Sequence, residues 1–173
     1  RKLKDAKVEE MFGGLIPLHG PLRRTYGEGF LIVGDAAGQT KSTSGGGIYF
    51  GLKAAEIAGN VTVQSTGSGE LSVGGLREYE DGWKRSFGWE IKLTSAARRV
   101  IDSLSERDLD LLFMHIERDE RLKDTIKKHG DSAYQSRLLV PLLLRSARTA
   151  FLSTTNLQLF LKLATIGLLT IAQ

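Results

Sequence analysis

The residues best suited to chemistry lie in one segment, between positions 26 and 58. An apolar, strand-like run ends at residue 33 and is followed at once by Gly34 and Asp35, which puts a carboxylate at the carboxyl end of a strand. After a short linker, a helical pattern begins with three consecutive glycines, Gly45, Gly46 and Gly47. The spacing predicts a ligand-binding turn between a strand and a helix.

This turn offers two kinds of binding group. The Asp35 carboxylate can accept hydrogen bonds from hydroxyl groups, and small residues such as Ala36 let a ligand approach the backbone. Glycines at the start of a helix expose backbone N–H groups at the positive end of the helix dipole. A ligand that carries hydroxyl groups and negative charge therefore fits the segment.

Two other interpretations of the turn were weighed. Lys41 and Ser42 resemble the end of a phosphate-binding P-loop, but that motif needs glycine where Thr40 and Asp35 stand. The P-loop is therefore rejected. The remaining alternative is a plain strand-to-helix turn in which Asp35 caps nearby backbone, and the glycine triplet argues against it.

Helical patterns occupy most of the chain beyond this turn. We predict a helix over 46–58 that ends at Gly59, a loop over 61–75, and a long helix over 73–99. Four aromatic or aliphatic residues recur at intervals of four on that long helix, namely Tyr79, Trp83, Phe87 and Ile91. They predict one buried stripe.

Three further helical segments are predicted. Ser105, with Asp108 three residues later, indicates a capping box at the start of a helix whose apolar face holds Leu109, Leu112, Phe113 and Ile116. A shorter charged helix over 119–128 should end at His129–Gly130, and a last helical stretch is interrupted at Pro141.

Composition excludes several classes of site. The 173-residue chain has no cysteine and only three widely spaced histidines, so neither a disulfide scaffold nor a zinc site is expected. The net charge of +4 is concentrated at the end, since residues 132–173 contain no Asp or Glu. Such a basic tail indicates either an anionic membrane surface or a buried helical pair with exposed arginines. No membrane-spanning helix is expected.

The segment from Gly34 to Gly38, with residues 43–49, resembles the second flavin-binding motif of aromatic hydroxylases and geranylgeranyl reductases. The longer string GPLRRTYGEGFLIVGDAAGQTKSTSGGGIYFGLKAAEIAG, and the later Tyr79 to Glu90, are most similar to the geranylgeranyl reductase family. The resemblance implies the C-terminal part of an α/β, Rossmann-like FAD-binding protein of the aromatic-hydroxylase type. Residues 1–60 would form the second half of the FAD-binding domain, with a short β region, and residues 61–173 a C-terminal helical region.

The resemblance also implies roles for individual residues. Asp35 would accept a hydrogen bond from the ribityl chain of FAD, and the backbones of Gly47 and Ile48 would face the isoalloxazine ring. The cofactor-binding set it implies is Gly34, Asp35, Ala36, Gly45, Gly46, Gly47 and Ile48. No catalytic residue or metal ligand is assigned.

The first nucleotide-binding fingerprint of such proteins, Gly-x-Gly-x-x-Gly, does not occur in the sequence. We therefore expect only half of the FAD site here, with the N-terminal part of the FAD domain as a necessary partner. The implied activity is reduction of C=C bonds of geranylgeranyl chains, with an isoprenoid lipid as substrate. A cytoplasmic location, or one peripheral to the cytoplasmic membrane, would suit that substrate, and self-association is expected of the isolated fragment.

Alternatives remain for function and for single residues. The chain could belong to a flavoprotein dehydrogenase that passes electrons to a quinone, or to a non-enzymatic helical module at a membrane surface; nucleic-acid binding is not expected. Arg23 and Arg24 could meet a phosphate or be solvated, and His19 could approach the flavin or be satisfied by backbone. The aromatic residues Tyr79, Trp83 and Trp89 could line an isoprenoid channel or form plain core.

Overall fold

A short β-hairpin opens the ordered body of the protein. The computed structural model describes residues 6–130 and 133–142, apart from the side chain of His115. Strands β1 (Tyr26–Gly27) and β2 (Phe30–Leu31) are antiparallel, with Tyr26 opposite Leu31. The predicted strand over 30–33 is therefore shorter than expected. One further backbone bond, from Ile32 N–H to the Thr25 carbonyl at 2.8 Å, continues the hairpin before a 3-10 turn begins at Gly34.

A long helix, α1 (Ile48–Ser68), packs against the turn that follows the hairpin and against the next helix along the chain. The prediction that this helix ends at Gly59 and that a loop follows from residue 61 is wrong. Ala58, Val61 and Ser65 are buried along one face of α1, so packing stabilises the helix beyond the glycine. It ends instead at Gly69, whose φ of 74° forms a left-handed cap.

The long helix predicted over 73–99 is present and contains an unpredicted π-helical turn. Helix α2 (Val73–Trp83) continues through the π-helical segment Lys84–Gly88 into α3 (Trp89–Asp102). Side chains at intervals of four drift around an α-helix of 3.6 residues per turn, whereas a wider π turn reverses the drift. The π turn thus keeps the whole stripe buried, at 0–2% exposure for Tyr79, Trp83, Phe87 and Ile91.

Two amphipathic helices follow α3. Helix α4 (Glu106–Arg118) begins with the predicted capping box, in which Ser105 accepts from the Asp108 backbone and the Asp108 side chain accepts from the Ser105 N–H. Helix α5 (Glu120–His129) lies in the predicted charged segment, and Asp119 caps its start. Residues 136–142 are helical through Pro141; the rest of the predicted C-terminal stretch and most of the acid-free tail lie outside the described residues.

The core lies between α1, α2 and the π-helical segment. Phe50 stacks on Phe87 with ring centroids 5.0 Å apart, and Trp83 lies 5.6 Å from Phe87. Tyr26 of the hairpin packs against the same cluster. Aromatic rings bury much apolar area each, so this cluster fixes how the hairpin and helices sit together.

The described part of the chain is mostly helical with one two-stranded sheet, as the sequence predicts for this segment. A Rossmann-type parallel sheet is not among the described residues. The proposed division at residue 60 falls inside α1 and stays a prediction. Within the described ranges, no helix is both long and apolar enough to cross a bilayer.

Candidate functional site

The site is built on a 3-10 turn, Gly34–Ala37, that directly follows the hairpin. Gly34 has a φ of 70°, which favours glycine, and its N–H donates to Gln39 Oε1 at 2.7 Å. Gln39 Nε2 in turn lies 3.0 Å from the Tyr79 hydroxyl, which donates to the Ile32 carbonyl at 2.8 Å. A buried hydrogen-bonded chain therefore fixes the turn to the core.

Tyr79 is a hydrogen-bond donor in this chain of contacts. Burial raises the pKa of the Tyr79 phenol above its ordinary value of 10.0, so the hydroxyl keeps its proton at neutral pH. Its bond to the Ile32 carbonyl holds the segment between β2 and the turn.

The turn brings Asp35 against the start of α1. A Cβ added to Gly47 would overlap the Asp35 carboxylate and lie 2.8 Å from Thr40 Cγ2, so only glycine fits there without a shift. Gly34 and Gly51 also approach closely, since a Cβ on Gly51 would lie 3.6 Å from Gly34 Cα. The structure thus places the predicted carboxylate and the predicted helix start side by side.

The N-terminus of α1 is open. Gly47 is its N-cap, and no side chain caps it with a hydrogen bond. The preceding turn is held by backbone bonds, from Gly45 N–H to the Lys41 carbonyl at 2.8 Å and from Lys41 N–H to the Gly46 carbonyl at 3.1 Å. The Lys41 side chain runs beside Gly46 and adds positive charge to the same end of the helix.

The Asp35 carboxylate is exposed, and within the described residues no hydrogen bond or ion pair engages it. It borders an open groove of about 720 Å³ with Ala36, His19 and the apolar residues Leu15 and Ile16. The unengaged Asp35 carboxylate, apolar side chains and the Arg98–Asp102 ion pair border this groove, and the uncapped helix start lies beside Asp35. Such a groove can hold a ligand with hydroxyl groups, a polar carbonyl edge and an apolar ring.

The seven predicted binding residues are contiguous in space. The set comprises Gly34, Asp35 and Ala36 in the 3-10 turn and Gly45, Gly46, Gly47 and Ile48 at the start of α1. Gly45 lies against Ile16, which links the glycine turn to the groove wall. Whether these residues bind a flavin stays a prediction.

The other candidate residues are placed differently. Tyr79 and Trp83 are core residues with 0% and 1% exposure, and Trp83 Nε1 donates to Thr25 Oγ1 at 2.9 Å. Trp89 is 53% exposed, and His19 is also exposed. Arg24 stacks over the Tyr26 ring at 5.3 Å, which favours a surface role for it.

Sequence reasoning missed the buried polar residues that support the site. Gln39, Thr40 and Ser42 are fully buried; Thr40 Oγ1 donates to the Pro17 carbonyl at 2.6 Å, and Ser42 Oγ lies 2.9 Å from Ser95 Oγ. These bonds attach the linker to the 17–20 loop and to α3. Polar residues in a linker normally indicate exposure, so no sequence signal distinguishes them.

Glu80 was also missed. It is 8% exposed and accepts from Thr25 N–H at 2.7 Å and from Lys84 Nζ at 2.6 Å. Burial alone would raise the pKa of Glu80, but the bonds from Lys84 and Thr25 outweigh it and lower the pKa below its usual range. In the part of the chain that is described, no cluster of acidic or histidine side chains suits a metal ion.

Comparison with known proteins identifies relatives with a named activity. Digeranylgeranylglycerophospholipid reductase 2 of Methanothermobacter thermautotrophicus is 36% identical over 108 residues, which cover 62% of this chain and 28% of that protein. The digeranylgeranylglycerophospholipid reductase of Methanothrix thermoacetophila is 36% identical over 120 residues, 69% of this chain and 31% of that protein. The Methanocaldococcus jannaschii protein of the same name is 37% identical over 111 residues.

The chain spans less than a third of the length of these relatives. No family profile matches it, and no solved structure matches it significantly.

Proposed function

Since the chain belongs to the geranylgeranyl reductase family, we propose that it forms part of a flavoprotein that saturates C=C bonds of geranylgeranyl chains on lipids. The observation that carries the proposal is the contact between the Asp35 carboxylate and the uncapped start of α1 at Gly47. The names of the relatives supply the substrate class, an isoprenoid glycerophospholipid.

The residues at the turn fit FAD in chemical type. Asp35 would accept a hydrogen bond from a ribityl hydroxyl, and the N–H groups at Gly47 and Ile48 would meet the polar edge of the ring. Gly34, Ala36, Gly45 and Gly46 leave room for that approach. FAD, when bound, supplies the hydride for C=C reduction.

The chain itself contributes orientation and charge. The positive end of α1 favours negative charge on a bound ligand by about 1–2 kcal/mol in a partly buried site. The Gln39–Tyr79 bonds hold the turn so that Asp35 stays beside Gly47. Reduction of a ligand that gains negative charge there becomes more favourable.

The remainder of the FAD site would come from the N-terminal part of the FAD domain. Large apolar side chains are exposed in the segment before the groove residue Leu15, with Met11 at 86% and Phe12 at 87%, and on the first turns of α1, with Ile48 at 83% and Leu52 at 69%. Exposed apolar surface of this kind usually marks a contact site. We propose that it packs against that domain in a protein acting in the cytoplasm or at the membrane surface.

The first test is an absorption spectrum of the protein with its full natural chain. We expect visible flavin bands in the wild type and their loss in Asp35→Ala, because the hydroxyl acceptor is removed. Asp110→Ala, an exposed change on α4, is the matched control and should keep the bands. A wild-type protein that stays colourless with added FAD would rule out the flavin proposal.

The second test addresses the substrate. Purified protein, a chemical reductant and a geranylgeranylated glycerophospholipid should give products that gain two hydrogens per double bond by mass spectrometry. A flavin-loaded protein that reduces a quinone but leaves the lipid unchanged would favour the electron-transfer dehydrogenase instead.

A further inference from the structure

A second concave site shares His19 with the Asp35 groove and otherwise has different lining residues. This pocket, of about 720 Å³, is walled by that loop and by one face of the α2–α3 helix. Helix residues at intervals of three or four line it, namely Lys84, Gly88, Lys92, Ser95 and Arg99. They share a face because such intervals return to the same side of a helix.

The pocket is cationic. Four Arg or Lys side chains and one histidine line it, and no acidic residue is among its lining residues: Arg23, Lys84, Lys92, Arg99 and His19. Lys84 forms an ion pair with Glu80, with Lys84 Nζ 2.6 Å from Glu80 Oε1. Within the described residues, neither Arg23 nor Lys92 forms an ion pair, so two cations in one pocket lack an anion. Gathered like charges repel one another, and a bound anion relieves that repulsion.

The walls of the pocket are held in place by specific contacts. A Cβ on Gly20, whose φ is 91°, would lie 3.1 Å from Ser95 Oγ, so glycine lets the loop approach α3 closely. Leu22 N–H donates to the Ala37 carbonyl at 3.0 Å, which ties the loop to the Asp35 turn. Gly88 has no side chain to fill the space beside Trp83. The pocket is therefore a formed feature.

The aromatic residues indicate what accompanies the anion. Trp83 is buried at the pocket floor, and Trp89 at its edge is 53% exposed. An exposed indole beside cations suits a ligand with a charged head and an apolar remainder.

From these observations we propose that the pocket binds the phosphate of an anionic glycerolipid, with Arg23 and Lys92 contacting the phosphate and Trp89 contacting the adjoining glycerol and chain. Arginine matches phosphate oxygens with two parallel N–H bonds, and lysine adds a point charge. Phosphate recognition stands on the pocket alone; only the identification of the lipid as the reductase substrate rests on the proposed function.

Calorimetric titration of the protein with monodisperse dihexanoylphosphatidic acid tests the proposal, with neutral dihexanoylglycerol and inorganic phosphate in parallel. Tryptophan fluorescence gives a second readout, because the two tryptophans of the chain, Trp83 and Trp89, both line the pocket. We expect phosphatidic acid to bind and the neutral lipid to bind at least about tenfold more weakly. Inorganic phosphate binding as tightly as the lipid would support phosphate recognition and make free phosphate the ligand.

Charge variants locate the binding. Arg23→Gln and Lys92→Gln should each raise the Kd for phosphatidic acid by at least about fivefold. Arg24→Gln makes the same charge change one residue away but outside the pocket, and should change the Kd less than about twofold. An equal effect of all three variants, equal binding of the neutral lipid, or absence of binding would overturn the proposal.

Flavin content separates this proposal from the flavin proposal. The Arg23 and Lys92 variants should keep the flavin bands, whereas Asp35→Ala should lose them and still bind phosphatidic acid. A colourless wild type that binds phosphatidic acid at this pocket would reject only the flavin site.

Discussion

At the scale of single residues, buried polar side chains hold the Asp35 turn and the segment at Thr25. Gln39 bonds both Gly34 N–H and the Tyr79 hydroxyl, and Glu80 bonds both Thr25 and Lys84. Each joins a loop segment to the α2 helix. A buried polar group that loses its hydrogen-bond partner costs free energy. Removing one partner of either bonded set should therefore destabilise the attached loop segment.

Glu80→Gln should lower the free energy of unfolding by about 1–3 kcal/mol at pH 7, since charge-assisted bonds to Lys84 and Thr25 are weakened. The folded pKa of Glu80 is depressed, so its stabilising contribution is present above the unfolded pKa and is lost as pH falls through the folded pKa. The difference in the free energy of unfolding between wild type and variant should therefore become smaller at acidic pH. Urea unfolding at several pH values measures it.

The control for Glu80 is Glu78→Gln, whose carboxylate is 67% exposed and pairs with Arg85 at 3.5 Å. It should change stability by less than about 0.5 kcal/mol at either pH. A pH-independent difference for the Glu80 variant would show that its charge does not contribute.

Gly47→Ala should cost about 1–3 kcal/mol and displace the Asp35 carboxylate, because the new methyl group overlaps it and also crowds Thr40. Flavin content should fall with it if the proposed site is correct. Gly46→Ala is the matched change, since its methyl group meets the flexible Lys41 side chain at 3.0 Å. Equal unfolding midpoints for the two variants would contradict the close contact between Gly47 and the Asp35 carboxylate.

At the scale of elements, the sequence predicts what local chemistry decides. Two predictions are confirmed, the capping box at Ser105 and Asp108 and the buried stripe from Tyr79 to Ile91. A cap and a periodic helix face are both encoded by residues close together in the sequence. The length of α1 is not predicted correctly. Gly59 is typical of a helix end, whereas the helix continues because tertiary packing buries Val61 and Ser65. The sequence predicts the glycine turn. It does not predict the burial of Gln39 and Ser42, because their partners Tyr79 and Ser95 are distant in the sequence.

The π-helical segment Lys84–Gly88 holds one extra residue compared with a continuous α-helix, which sets the direction of the downstream face. Deleting exposed Ser86 should therefore convert the segment to α-helix and keep α3 in register. Deleting Glu78, an exposed residue in the regular α2 helix, should instead rotate one side of the helix by about 100° and misplace part of the stripe.

Thermal unfolding followed by circular dichroism compares the two deletions. We expect the Ser86 deletion to keep a cooperative transition and to lose less Tm than the Glu78 deletion. Equal losses would mean that the π turn does not set the register of α3.

At the scale of the whole molecule, the described chain has a densely packed part, here called the dense part, and a part with few buried side chains. The dense part comprises the hairpin, α1, α2 and α3, which share the cluster around Phe50 and Phe87. Among the side chains of α4 and α5 that the structure describes, only Leu122 is buried, and Phe113 on the apolar face of α4 is 65% exposed. Both proposed sites, at Asp35 and at Arg23, lie beside the dense part.

Hydrogen exchange should follow this division. Because local opening costs little where few apolar groups are buried, amides of α4 and α5 should exchange at least about tenfold faster than those of α1 and α2. Phosphatidic acid should slow exchange in α3 and leave α4 unchanged, since the pocket of Arg23 and Lys92 is lined by α3. Protection of α4 equal to that of α1 would show instead that further chain covers Leu109, Phe113 and Ile116, so that the apolar face of α4 belongs to the core of the protein.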